Sequence, residues 1–223
     1  MMKNSFGILI IALILICISC SALKIDYKVD NSCPAPCWKG LNIGMGYDEV
    51  LKTVLQMGEY EVEEKRGLQD SSSILLKNRD GELNVLSFSS AKVLRAINLG
   101  FQLEKMKLPL RKVIAEYGEP NNIVTWFAGM PMNTLNAVIC YPEIGLTIHL
   151  KPITKRESSK IYLYNIRQDT NVLGITYDNL DPTTSGVGVN YCKEPLDIAL
   201  RYDWVGYGEY LACEAETNPF CEP

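Results

Sequence analysis

Eight cysteines and a single histidine are the side chains in this 223-residue sequence best suited to chemistry. Cys17 and Cys20 sit where an uncharged, largely aliphatic run ends, and Cys33, Cys37, Cys140, Cys192, Cys213 and Cys221 are spread over the remainder. An even set of six in an exported chain reads as disulfides, because oxidising compartments let such bonds persist. Spacing alone does not fix the pairing. It offers a local bridge between Cys33 and Cys37, across Pro34-Ala35-Pro36, as the plainest choice. Zinc competes for the same residues but wants four ligands, with thiolates held in paired short spacings. The later cysteines are too far apart for that, so no metal and no other cofactor is expected.

His149 alternates with Leu146, Ile148 and Leu150 and belongs on the polar face of a strand. No G-x-S-x-G elbow accompanies it, and a Cys-His pair would require a reduced thiol outside the cell. No catalytic residue is assigned, and the chain is not expected to be an enzyme. Asp178, Asn179 and Asp181 are oxygen donors, but without the EF-hand order they read as an Asx-Pro turn. The run Tyr202, Trp204, Tyr207 and Tyr210 is the best candidate for a binding surface, since Tyr and Trp present large rigid area with a polar tip. The competing reading is that a C-terminal tail docks these rings on a sheet.

The elements that would position these residues follow from periodicity. Tyr47, Val50, Leu51, Val54 and Leu55 form one helical face, with Gly46 as N-cap, Asp48 and Glu49 in the first turn and Gly58 as the stop. Asp80-Gly81 between two apolar runs predicts a hairpin. Ile97, Leu99, Phe101 and Leu103 predict a strand with one buried face. A second helix is predicted from Leu110, Val113, Ile114 and Tyr117, opened by Pro109 and closed by Gly118. A strand over 121–127, a hairpin turning at Pro142 to Gly145 and a closing strand over 160–168 complete a second round. Helix, hairpin and strand thus recur, which predicts a tandem repeat. Beyond Asp169 the sequence is rich in Asp, Asn, Gly and Thr and reads as irregular. "KPITKRESSK", residues 151–160, reads as a solvated loop.

Lys3, the aliphatic run from Phe6 to Ile18 and the small residues Ser19, Ser21 and Ala22 have the layout of a secretory signal. The uncharged stretch, positions 4–23, is also just long enough to cross a bilayer of roughly 30 Å as a retained anchor. Before Cys20 stand Cys17, Ile18 and Ser19, which satisfy two of the three lipobox positions; before Cys17, Ile16 fails at −1. Cys20 is therefore the expected lipid site, and cleavage there takes the net charge from −4 to −5. No clustered basic face suggests nucleic acid.

The segments "NIGMGYDEVLKTV" and "LPLRKVIAEYGEP" resemble the helix signatures of small bacterial lipoprotein modules of the SmpA/OmlA (BamE-like) family. Those modules share a helix-pair-on-sheet architecture with β-lactamase inhibitory protein, where the module occurs twice. Pro36-Cys37-Trp38-Lys39-Gly40 and Trp204-Val205-Gly206-Tyr207-Gly208 also resemble segments of bacterial envelope lipoproteins. The resemblance implies scaffolding or binding and no catalytic residues. The expectation is an α+β fold of two helix-plus-antiparallel-sheet repeats packed in tandem, residues 33–104 and 105–168, with a cysteine-bearing irregular extension, 169–223. A signal peptide with lipobox, 1–20, and a tether, 21–32, precede them. The expected protein is an extracytoplasmic lipoprotein held on a bacterial cell membrane by its N-terminal lipid, binding another envelope protein. A proteinaceous enzyme inhibitor and an envelope hydrolase are the alternatives.

Overall fold

The computed structural model describes residues 36–66, 72–79, 81–100, 108–128, 134–157, 161–178, 192 and 199–214. The expected signal, the expected lipid site Cys20 and the expected tether lie outside these residues, as do Cys33, Cys221, Asp80, Phe101, Leu103 and the side chain of Cys213. Among the described residues no helix is long and apolar enough to cross a membrane.

A short hairpin opens the fold, with β1 (Cys37–Trp38) and β2 (Leu41–Asn42) joined by Lys39 and Gly40 at φ 49° and 80°. Two central residues with positive φ suit a two-residue hairpin turn, which Gly40 accepts without strain. Lys39 ion-pairs with Glu59 at 2.5 Å and lies 5.7 and 5.2 Å from the ring centroids of Trp38 and Tyr60. The "PCWKG" segment is thus built into the packing around buried Trp38.

Helix α1 (Tyr47–Met57) follows, buries Val50 and Val54, and ends at Gly58 in the left-handed region. Strands β3 (Tyr60–Arg66), β4 (Ser72–Asn78), β5 (Leu83–Phe88) and β6 (Leu94–Leu99) form an antiparallel meander. Asn78 holds the β4–β5 turn by accepting from the Glu82 backbone N–H at 2.8 Å. Helix α2 (Leu110–Tyr117) is N-capped by Pro109 and buries Leu110 and Val113. Then come β7 (Asn122–Ala128), β8 (Thr134–Tyr141), a 3₁₀ turn over Pro142–Ile144 and β9 (Leu146–Lys151). The chain continues through β10 (Ile153–Arg156), β11 (Ile161–Ile166), β12 (Asn171–Asp178), β13 (Leu200–Asp203) and β14 (Gly208–Glu214).

These strands do not form two repeats. Nine of them make one sheet, in the order β13-β7-β8-β9-β12-β6-β5-β4-β3, and a separate three-stranded sheet runs β10-β11-β14. The molecule is mostly antiparallel β-sheet with two α-helices among its described residues, which overturns the expected α+β tandem. The physical reason is the β6–β12 pairing, which joins Ala96 through Leu99 to Ile175 through Asp178 across the expected boundary. One row of register partners, Ile74, Leu86, Ile97, Tyr177, Leu146 and Tyr141, crosses six strands, and all six side chains are buried in one cluster. A continuous ladder over a continuous core leaves no seam at which two units would part.

Three local expectations change with it. Residues 171–178, read as irregular, are a central strand, and the bulge between Val172 and Gly174 hides its alternation. Gly174 suits this close approach, because a Cβ here would stand 3.0 Å from the Leu99 carbonyl oxygen and crowd it. The predicted closing strand, β11, belongs to the small sheet, and part of the "KPITKRESSK" loop is its exposed edge strand β10. Tyr164, Ile166, Tyr210 and Ala212 carry the small sheet into the main core, and Thr125 Oγ1 donates to the Leu211 carbonyl at 2.8 Å.

Tyr164 is fully buried and its hydroxyl has no hydrogen-bond partner among the described residues. Its removal relieves a desolvation penalty of about 1 to 3 kcal/mol without opening a large cavity. Tyr164→Phe is accordingly expected to raise the urea midpoint; a lowered midpoint would show that the hydroxyl is satisfied in solution.

Candidate functional site

The four aromatic residues predicted as a surface converge at one end of the main sheet. Edge strand β13 pairs with β7 through Tyr202 opposite Ile123 and Asp203 opposite Asn122. The chain then turns over residues 204–207 and returns as β14. Trp204 donates its backbone N–H to the Asn121 carbonyl at 3.0 Å and its indole N–H to the Glu119 carboxylate, just beyond the C-terminus of α2. Its ring stacks on Tyr210, with centroids 6.0 Å apart and planes at 16°, and meets Tyr207 edge-on at 5.8 Å and 80°. Tyr202 packs against Tyr210 at 6.0 Å. Tyr210 closes the turn by donating its hydroxyl to the Gly206 carbonyl at 2.6 Å.

The rings therefore divide. Tyr210 is buried, and Tyr202 and Trp204 pack partly buried against the core, as the docked-tail reading has it. Val205 and Tyr207 remain outside, 84 % and 38 % exposed, on a turn whose backbone is hydrogen-bonded on both sides. Burial and then the Glu119 carboxylate push the Tyr207 phenol up, while Arg111 opposes them. Glu119 and Arg111 thus frame the corner with opposite charges. Neither carries a signal in the sequence, since Glu119 lies 85 residues from the Trp204 it meets. Behind them, Tyr141 donates to the Gly118 carbonyl at 2.9 Å, and the Tyr117 and Tyr177 hydroxyls meet at 3.0 Å.

The opposite face of the sheet holds the histidine and a disulfide. Cys140 on β8 and Cys192 are bonded, with Cα atoms 5.6 Å apart. Cys37 is also in a disulfide, and its partner lies outside the described side chains. Val124, Val138, Cys140 and Cys192 form a small cluster of their own, with Ala199 against it. Thr147 Oγ1 lies 3.2 Å from Cys192 Sγ, and the Arg201 guanidinium on β13 donates to the Cys192 carbonyl. His149, partly buried, is 3.2 Å from Thr176 Oγ1, which donates to Asn98 Oδ1 at 3.0 Å. With its own proton committed to Asn98, the Thr176 oxygen accepts from His149 Nε2–H. Burial lowers the His149 pKa to about 4, so the imidazole is neutral near pH 7 and acts as a fixed donor.

Among the described residues no three His, Cys, Asp or Glu side chains are grouped to hold a metal ion. The chain matches no family model, no curated protein and no solved structure.

Proposed function

We propose that the chain is a membrane-tethered extracytoplasmic binding module whose docking surface is the aromatic corner at residues 204–207. The observation that carries this reading is the exposure of Val205 and Tyr207 on a turn held in place by Trp204, Glu119 and Tyr210. Apolar side chains kept in water on an already ordered turn lose little conformational entropy when covered, which is what makes Trp and Tyr effective anchors at interfaces. The partner is another envelope protein with a matching apolar pocket, its polar groups meeting Glu119 and Arg111. The buried Cys140–Cys192 disulfide fits an oxidising compartment, and the signal-like leader ending at Cys20 supplies the tether.

Val205→Ser together with Tyr207→Ala, which leaves Trp204 packed on Tyr210, is expected to abolish partner capture while leaving the far-ultraviolet circular dichroism spectrum unchanged; capture at the original level rules out the corner. The tether has its own test in the intact mass of the membrane-fraction protein. A diacylglyceryl adduct on a chain beginning at Cys20 is expected, and an unmodified chain beginning at Leu23 would remove the anchor from the account.

A further inference from the structure

We propose that β3 is a self-association edge: two copies of the chain pair their β3 strands antiparallel about a two-fold axis at Glu63, so that Glu61 of each copy stands opposite Lys65 of the other. β3 closes one end of the nine-stranded sheet, and among the described residues no strand lies on its outer side. The edge is long and regular. Its seven residues pair with β4 from Tyr60 opposite Asn78 to Arg66 opposite Ser72 with no bulge, and none of them is proline. Short edge strands, bulges, prolines and charges are the usual means of keeping such a row of backbone N–H and C=O groups from taking up another strand. β13, at the other end of the same sheet, has only four residues. β3 is guarded by charge alone, and the order of its charges is selective.

Opposite residues of an antiparallel pair are either both hydrogen-bonded to each other or both not, and the two kinds alternate along a strand. A symmetric pair of β3 strands is therefore centred on a residue, never between two. Centring on Glu63 pairs the whole strand, 60–66, with its copy. Centring on Val62 sets Glu61 against Glu63 twice and leaves residues 65 and 66 outside the pairing, whereas centring on Glu64 leaves out residues 60 and 61. Only the Glu63 register brings Glu61 and Lys65, both exposed, into two cross-strand pairs of opposite charge.

The like-charge contact in this register is Glu63 with Glu63, and each of these carboxylates already has the ammonium of its own Lys65 at 3.7 Å. Glu64 is turned to the other face, where it accepts from the Tyr47 hydroxyl. Tyr60 and Val62 share that face and pack against the main core, so pairing at the edge leaves helix α1 and the core as they are. A foreign strand of one charge sign would meet repulsion from either Glu61 or Lys65, whereas a second copy meets opposite charge at both. Because β3 and β13 end the same sheet, the dimer carries an aromatic corner at each outer edge of the joined sheets. That consequence rests on the docking surface proposed above: two linked corners hold a paired partner more tightly than one. The strand pairing itself does not depend on it.

Sedimentation equilibrium of the full chain, extracted in density-matched detergent, tests the pairing. The wild type is expected to be a dimer whose dissociation constant rises at least tenfold with Glu61→Lys alone or Lys65→Glu alone. An equal mixture of these two variants is expected to regain association, since opposite charges again face each other in the mixed dimer. A wild type that is monomeric at every concentration overturns the proposal. So does a dimer that the single reversals leave within twofold of wild type, or one that the mixture does not regain. Should a single reversal not fold by circular dichroism, Glu61→Lys/Lys65→Glu in one chain replaces it. That chain is expected to pair with itself and not with the wild type, and free exchange between the two overturns the register. No other protein enters these measurements, so a failed docking surface leaves their result untouched.

Discussion

Cys140→Ser/Cys192→Ser is expected to lower global stability by about 4 kcal/mol, the largest effect of any change considered. The bond joins positions separated by 52 residues. In the chain-entropy account a closed loop of that length removes enough freedom from the unfolded ensemble to give roughly 4 kcal/mol at room temperature. Loss of the Thr147 contact and of packing among Val124, Val138 and Ala199 adds to it. Guanidinium denaturation of oxidised wild type and variant, with the disulfide of Cys37 intact in both, reads the difference. Equal midpoints and equal slopes would mean that the unfolded chain is not appreciably constrained by this bond.

The second large effect is acid sensitivity through His149. Its pKa falls from an ordinary value of 6.5 to about 4 in the fold because burial disfavours the imidazolium. As pH drops below about 6.5 the unfolded chain takes up a proton that the folded chain refuses until about pH 4. Stability is therefore highest above this window and declines through it, by at most about 3 kcal/mol for a shift of this size. His149→Gln retains a donor for Thr176 and does not titrate. The variant is expected to lose less stability than the wild type between pH 7 and pH 4, while the carboxylates, common to both proteins, cancel in the comparison. Parallel stability curves would show that His149 protonates in the fold as easily as outside it.

Both helices and the hairpin at Gly81 were readable because their signals are local. Val50 with Val54 and Leu110 with Val113 share faces set by helical geometry, and Gly58 adopts the left-handed conformation that ends a helix. β3 was not readable: Glu61, Glu63, Glu64 and Lys65 mark a protected sheet edge, whose pattern differs little from a polar loop. β12 escaped because a bulge and Gly174 break its alternation at the point where β6 comes close. The tandem reading failed for a related reason. The pairing of β6 with β12 is a contact between distant segments, and periodicity within either segment carries no trace of it.

The site divides in the same way. The aromatic residues stood out by type, but that Tyr210 is buried while Tyr207 is not depends on β14 joining β11 in the small sheet. Glu119 was invisible as a member because it meets Trp204 from 85 residues away. Alternation puts His149 on the polar face of its strand, the face turned from Leu146, Ile148 and Leu150, but its burial and its link to Thr176 depend on β12 lying beside β9. Spacing gave Cys140 no reason to choose Cys192 over any other thiol.

Photocrosslinking at Val205 tests the docking surface most directly. A photoreactive residue replaces Val205 in the cell envelope of a cell that expresses the chain, with Leu55, 60 % exposed on α1, as the control position. The expected result is a discrete protein adduct from position 205, absent from position 55 and lost when Trp204 and Tyr207 are alanine in a folded chain. No adduct at 205, or the same adduct from both positions, would contradict a binding function for the aromatic corner.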